Sequence, residues 1–373
     1  MKTGIITWWR NNYGSILQAY ALQKVLDEFD DVDYEIISQY DKNPANAKNF
    51  FRKIRQIGFA NTLKRTFWRF MFPNLKKRTS AMQSFISKNL KVSKKSYNSQ
   101  NISETNKIYD AFICGSDQIW NPNLTATDSF YWLTFAEKSK KKIAYAPSIG
   151  VEKLSEDEQK IIRKNLSDFC GISCRELSGT KLLNSILDEH QKCTKVVDPT
   201  LLVKKSVWDN ISKKFSNCKP YVFVYFLRCD KSPRKYVEKF AKEKNLEIVT
   251  FPFLEAEHIE KYDFRFGDKK IWDASPEDFI SYIRNADYVI TDSFHASVFS
   301  IIYHKEFYVF PKKGKAQMQR LISLISENGL NNRIVKSFED ISAIKPADWK
   351  KVDSIMAESR QKSYDYLKKS LEK

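Results

Sequence analysis

The chain has 373 residues, with 63 Lys and Arg against 45 Asp and Glu, a formal net charge of +18. Hydrophobic residues make up 42% and aromatics 14%, with no low-complexity tract, so the chain can bury two ordinary cores and is neither disordered nor fibrous. No run approaches the ~20 apolar residues of a spanning helix, and the short apolar start lacks a secretory cleavage site, which predicts a cytoplasmic protein.

Gly4 to Trp9 reads as the first strand and Gly14 to Phe29 as the first helix. Between them Arg10, Asn11, Asn12 and Tyr13 leave the carboxyl end of the strand, where open α/β sheets bind ligands. A single glycine stands there, so this is no dinucleotide fingerprint. A plain strand-to-helix turn is the other reading of the same residues. Tyr34 to Ser38 is a second short strand.

From Lys42 to Ser103 there is no Asp or Glu, while Lys and Arg number 15. On a helical wheel Lys48 to Ile57 sets Phe50, Phe51, Ile54 and Ile57 opposite Lys48, Arg52 and Arg55. A basic amphipathic helix with aromatics is the pattern of a membrane-surface element, and an anionic bilayer is the expected partner of residues 42–103. A core helix with a solvated basic face has the same periodicity. Nucleic acid is not expected, because no nucleic-acid-binding motif accompanies the charge.

Tyr109 to Cys114 predicts a buried strand followed by the loop Gly115-Ser-Asp-Gln-Ile-Trp-Asn-Pro122. Ser116, Asp117, Gln118 and Asn121 can bond sugar hydroxyls while the Trp120 indole packs on a sugar ring. Asp117 is the carboxylate best suited to act as base or acceptor ligand. The alternative is a turn whose Ser, Asp and Asn side chains bond their own backbone. Strands over 141–149 and 171–175 flank a helix over 155–169, and Arg175-Glu176 opens a further strand-to-helix turn. Asp198-Pro-Thr-Leu-Leu202 and Trp208 mark a domain boundary.

In the second half, strands are predicted at 221–227, 247–253 and 306–310, and helices at 233–245, 277–285 and 318–327. Arg228 ends the first of those strands. Ala286 to Thr291 is a buried strand, Asp292 and Ser293 offer capping oxygens, and Ala296 to Tyr303 is apolar at helical spacing. His295 sits at that helix start, beside Ser293 and Phe294. Residues 348–371 form one long charged helix. Alternating strands and helices in both halves define an α/β chain with parallel sheets. The six cysteines and four histidines are scattered, so no metal site is expected.

Five blocks in order resemble the polysaccharide pyruvyl transferase family. They are Asn11-Asn-Tyr-Gly-Ser-Ile-Leu-Gln-Ala-Tyr-Ala-Leu-Gln23, Gly115 to Pro122, Ile143-Ala-Tyr-Ala-Pro-Ser-Ile-Gly150, Asp198 to Leu202, and Thr291-Asp-Ser-Phe-His-Ala-Ser-Val-Phe-Ser300 with Arg333 downstream. The resemblance implies two Rossmann-like domains facing a cleft, a glycosyltransferase-B-like fold. Residues 1–203 would form the acceptor side, 204–345 the donor side, and 346–373 a closing helix. It also implies transfer of pyruvate from phosphoenolpyruvate to two hydroxyls of one sugar, as a ketal, with no further cofactor. His295 would then donate the proton, with Ser293 and Phe294 at the donor. Many relatives carry Arg where this chain has Ser293, so a guanidinium must come from elsewhere; Arg228 is the first choice and Arg333 the second. Asn12, Tyr13, Ser116, Gln118, Trp120 and Asn121 would face a glycan or lipid-linked sugar at the inner face of the membrane. Two other classes stay open at this point: a glycosyltransferase using a nucleotide sugar, and a non-catalytic membrane-associated part of polysaccharide assembly.

Overall fold

A computed structural model describes the chain except residues 11, 40–72, 128, 214, 216–218, 228–230, 253–260, 312–314 and 373. The first half contains β1 (Lys2–Ile6), α1 (Tyr13–Leu26), β2 (Asp33–Gln39), α2 (Pro73–Asn89), β3 (Val92–Tyr97), β4 (Ala111–Cys114) and β5 (Lys141–Ala144). These strands form a parallel sheet in the order β3-β2-β1-β4-β5. After α3 (Glu156–Leu166) come β6 (Ile172–Cys174), α4 (Leu177–Asn184) and β7 (Cys193–Lys195). A parallel bridge between Ile143 and Gly171 attaches the β6–β7 pair to β5.

Short helices α5 (Pro199–Leu202) and α6 (Lys205–Ile211) lead into the second half. There follow β8 (Tyr221–Tyr225), α7 (Lys231–Lys244), β9 (Glu247–Thr250), β10 (Lys269–Lys270), α8 (Pro276–Asn285), β11 (Tyr288–Thr291), α9 (Phe294–Ile302) and β12 (Glu306–Val309). This sheet is also parallel, in the order β10-β9-β8-β11-β12, which repeats the strand order of the first. The chain ends with α10 (Lys315–Glu327), α11 (Phe338–Ala343) and α12 (Trp349–Glu372).

The sequence sets these elements by simple means. β4 and β8 are buried at every position, as strands covered on both faces must be, and so read as unbroken apolar runs. α3 and α8 start with capping boxes, Ser155 with Glu158 and Ser275 with Asp278. α1 is buried at every position but Lys24, which is why its apolar residues run all round it. It lies between the domains: Tyr13 stacks on Phe279 of α8 with centroids 5.0 Å apart, and Tyr20 meets Trp208, which meets Phe299 of α9. One continuous core therefore joins the two halves. α12 returns to the first domain, where Ser363 Oγ accepts from Val197 N at 2.9 Å and Tyr366 OH donates to Ala144 O at 2.9 Å.

The acid-free stretch is not a single appended segment. Its second half is α2 and β3, both integral to the fold. Met82 and Phe85 of α2 join the shared core, and Arg78 lies 4.7 Å from the Tyr13 ring while donating to Pro252 O at 3.0 Å. β3 is an edge strand, where exposed lysines are a normal guard against edge pairing. Those lysines masked its period in the sequence. The helix expected over 48–57, with Phe67 and Trp68, lies outside the described residues. Among the described residues no helix is long and apolar enough to cross a membrane.

Candidate active site

The ends of β1, β4, β6 and β11 converge on one cleft between the domains. β11 finishes at Thr291, whose Oγ1 accepts from Ser293 N at 3.0 Å and donates to Tyr225 O at 2.5 Å. Ser293 then caps α9, its Oγ accepting from Ala296 N. This fixed turn carries His295 across the cleft to the first turn of α1. A β-carbon built on Gly14 would come within 1.9 Å of His295 Nδ1, so only glycine leaves room for the imidazole.

On the facing side, Gln18 of α1 bonds Trp8 O, Thr7 Oγ1 and Ser15 O through Nε2 and accepts from Ser116 N through Oε1. It thereby locks the loop after β4 to α1. Asp117 follows, in a left-handed conformation with φ 71°. Its Oδ2 accepts from Ser15 Oγ at 2.6 Å and its Oδ1 from Gln118 N at 2.9 Å. Ser116 Oγ donates to Ala146 O, 2.9 Å away, and lies 3.0 Å from Asp198 Oδ2.

Arg175, at the end of β6, joins these groups. Nη1 donates to Asp198 Oδ2 at 2.5 Å, Nη2 lies 3.8 Å from Asp117 Oδ1, and the guanidinium sits 4.2 Å from the Phe294 ring centre. Asp198 Oδ1 accepts from Thr200 N and Oγ1, so the carboxylate is held on both oxygens. His295 Nε2 is 3.8 Å from Asp198 Oδ2, too far for a hydrogen bond but well within electrostatic reach. Burial alone would raise the carboxyls of Asp117 and Asp198. Arg175 and His295 outweigh that effect and hold both below the usual carboxylate range. Arg175 is raised in turn, burial being overcome by Asp198, Asp117 and Glu176.

Several buried polar atoms here lack a hydrogen-bond partner: Arg175 Nε and Nη2, Glu176 Oε2 and His295 Nε2. Unsatisfied buried polar atoms are costly, and a cluster of them marks a place prepared for a ligand. The cleft is lined by Arg175, Glu176, Asp198, Phe294, Arg320 and Glu327, among others. Among the described residues no group of His, Cys, Asp and Glu is arranged to hold a metal ion.

The structure brings His295, Phe294, Ser293, Asp117 and Ser116 together. It places other expected residues differently. Trp120 is fully buried, stacked on Trp132 at 4.7 Å, and its indole N–H donates to Tyr131 O, so no face is left for a sugar. Asn121 is buried and bonds Gln118 and Asn123 N. Tyr13 is an interdomain packing residue; its hydroxyl donates to Ala274 O and burial pushes its phenol to about 12. Asn12 is the exposed cap of α1. Arg333 is fully buried away from the cluster, paired with Glu306 at 2.7 Å and donating to Lys345 O. Arg228 lies outside the described residues. Arg175 and Asp198 are site residues that the sequence reading does not single out, although Arg-Glu before a helix start and Asp-Pro after a strand are both visible. Arg175 reads as part of a strand-to-helix turn and Asp198 as a domain-boundary marker, and only the fold shows that they meet.

The architecture is that of two Rossmann-like halves of the glycosyltransferase-B-like kind. Solved structures of the same fold include UDP-N-acetylglucosamine 2-epimerases from Rickettsia bellii (TM-score 0.57, 12% identity, covering 100% of this chain and 96% of that one) and Methanocaldococcus jannaschii (0.53, 13%, 96% and 99%). The Neisseria meningitidis enzyme of that name, bound to UDP-GlcNAc, aligns with a TM-score of 0.51 at 9% identity over 98% and 94% of the two chains. At such identities the likeness concerns fold alone. No curated protein matches the chain. The family model described as polysaccharide pyruvyl transferase matches residues 12–312, and the chain belongs to that family.

Proposed function

We propose that this protein transfers the pyruvyl unit of phosphoenolpyruvate to two hydroxyls of a sugar in a surface polysaccharide or its lipid-linked precursor. The observation that supports the reading is that His295 and Arg175 both approach the Asp198 carboxylate, His295 Nε2 at 3.8 Å and Arg175 Nη1 at 2.5 Å, while His295 Nε2 and Arg175 Nε and Nη2 are buried without a hydrogen bond. A proton donor next to an anion-binding guanidinium is what a phosphorylated enol requires.

The chemistry runs as follows. His295 gives its proton to the methylene carbon, and positive charge develops on the carbon bearing the phosphate ester and carboxylate. The first sugar hydroxyl attacks that carbon and loses its proton, with the Asp117 carboxylate as acceptor. Phosphate leaves with the electrons of its C–O bond, and the second hydroxyl closes the ketal, losing its own proton. One hydroxyl proton replaces the proton lost by His295 and the other leaves on phosphate. Asp198 Oδ2 lies 3.8 Å from His295 Nε2, on the side of the ring that faces Arg175 and its partners. Arg175, fixed by Asp198 and by the Phe294 ring, keeps Nε and Nη2 for the donor's anionic oxygens.

The test is incubation of the pure protein with carbon-labelled phosphoenolpyruvate and a panel of glycans and lipid-linked sugars. Label retained on a glycan with equal release of phosphate supports the reading. Transfer from a nucleotide sugar instead, with phosphoenolpyruvate untouched, replaces it.

A further inference from the structure

α10 crosses from the second domain to the first. Gln319 donates to Glu152 at 3.0 Å, Ser323 Oγ accepts from Leu177 N at 3.1 Å, and Glu327 forms an ion pair with Lys195. These residues recur every four positions and so share one helix face, the face turned to the first domain. Arg320 follows Gln319 directly and lines the cleft with Arg175, Glu176, Asp198 and Phe294.

Arg320 is the unusual member of this face. Its neighbours in register all have partners, whereas its Nε is buried without one, and among the described residues no ion pair reaches it. Burial, and then repulsion from Arg175, lower its pKa to about 10 against the opposing pull of Asp117, Glu176 and Asp198. A buried guanidinium N–H that no hydrogen bond satisfies is left free for a ligand carrying negative charge. Asp198 already engages Arg175 on Nη1, so two guanidinia turn unpartnered N–H groups towards the same space.

We propose that Arg320 is the second cation of the donor site, gripping with Arg175 the phosphate group that the reaction expels. The assignment rests on the functional reading above for the identity of the donor, but not for the existence of the anion site. The ligand is thus a phosphate group on a small organic donor, held between the domains by one arginine from each. Binding of the donor then also ties α10 to the first domain, on the face that Gln319, Ser323 and Glu327 already fix.

The experiment is calorimetric titration of wild type, Arg320→Met and Arg320→Lys with phosphoenolpyruvate, inorganic phosphate and UDP, alongside thermal melts without ligand. Arg320→Met should weaken phosphoenolpyruvate and phosphate by about ten- to a hundredfold, the range for losing a charged hydrogen-bond partner. The same variant should melt within a few degrees of wild type without ligand, which shows that it folds. Arg320→Lys should recover part of the affinity, since it keeps charge but loses the two-point fork. Wild-type affinity of Arg320→Met for phosphoenolpyruvate would overturn the assignment and leave the functional reading intact. If wild type binds only UDP, and Arg320→Met loses it, the phosphate site stands and the phosphoenolpyruvate donor falls. If wild type binds none of the three, both fall.

Discussion

The imidazole of His295 rests against the backbone of Gly14, so the helix starts of two domains meet at a contact where a β-carbon would lie 1.9 Å from Nδ1. This contact fixes how deep the proton donor can enter the cleft, and it makes Gly14 part of the site although it carries no functional group.

Gly14→Ala tests that relationship. Within a helix, alanine is favoured over glycine by ~1 kcal/mol, so the variant should fold. Its methyl must displace the His295 ring, and misplacement of a catalytic group by ~1 Å costs about a hundredfold in rate. The expected outcome is a large loss of kcat with the donor Kd little changed, measured by steady-state kinetics and by titration. Wild-type kcat would show that the ring has another place to act from.

Trp120 should matter to stability and not to the acceptor. Trp120→Ala removes a fully buried indole stacked on Trp132 and should cost about 3–5 kcal/mol, read from denaturant unfolding. Trp120→Phe, which keeps most of the ring volume, should leave the acceptor KM unchanged. A raised acceptor KM in Trp120→Phe would return the residue to the sugar site.

The Arg175–Asp198 pair predicts a pH effect with a definite sign. Burial raises the Asp198 carboxyl, but Arg175, His295 and Thr200 outweigh it, so its folded pKa is depressed. Such a group contributes stability that is complete above its unfolded pKa of ~3.9 and is lost as pH falls towards the folded value. Asp198→Asn should cost about 3–5 kcal/mol near neutrality, because Arg175 is left buried without its anion. It should also show a shallower loss of stability below pH ~4 than wild type. Parallel acid profiles for the two proteins would mean that the pair is not a source of the pH dependence.

Much of this architecture was legible because parallel strands covered on both faces are apolar throughout, as at 221–225 and 288–291, and because Ser155 and Ser275 cap their helices openly. The turn at Ser293 and His295 was legible for the same reason. What was not legible is what the fold joins across distance. Arg175 reads as a residue before a helix, yet it meets Asp198, Asp117 and Phe294. Trp120 sits in a polar loop that looks suited to sugar, but its indole turns into the core because Trp132 supplies a stacking partner twelve residues on. β3 and α2 were hidden by lysines, since an edge strand and a half-exposed helix can carry charge without losing their packing faces.

The aromatic and basic half of the acid-free stretch carries a separate prediction. Each Lys or Arg near an anionic bilayer contributes about 1 kcal/mol, so a few engaged together give measurable attachment. Wild type should sediment with anionic vesicles at low salt, less so at high salt, and little with neutral ones. Changing Arg52, Lys53, Arg55, Lys64, Arg65 and Arg69 to Gln should abolish the effect. Wild type that ignores anionic vesicles at low salt would remove the membrane from the account.

The most direct measurement is transfer carried out in deuterium oxide by wild type and by His295→Asn, with the product examined by mass spectrometry and NMR. The expected product is a ketal whose methyl group has gained one deuterium from solvent, formed one-for-one with phosphate. A well-folded His295→Asn protein should be slower by about 10²–10⁴, the usual range for loss of a general acid. A wild-type rate in that variant would contradict the role of His295, and a sugar product formed without deuterium in a ketal methyl would contradict pyruvyl transfer itself.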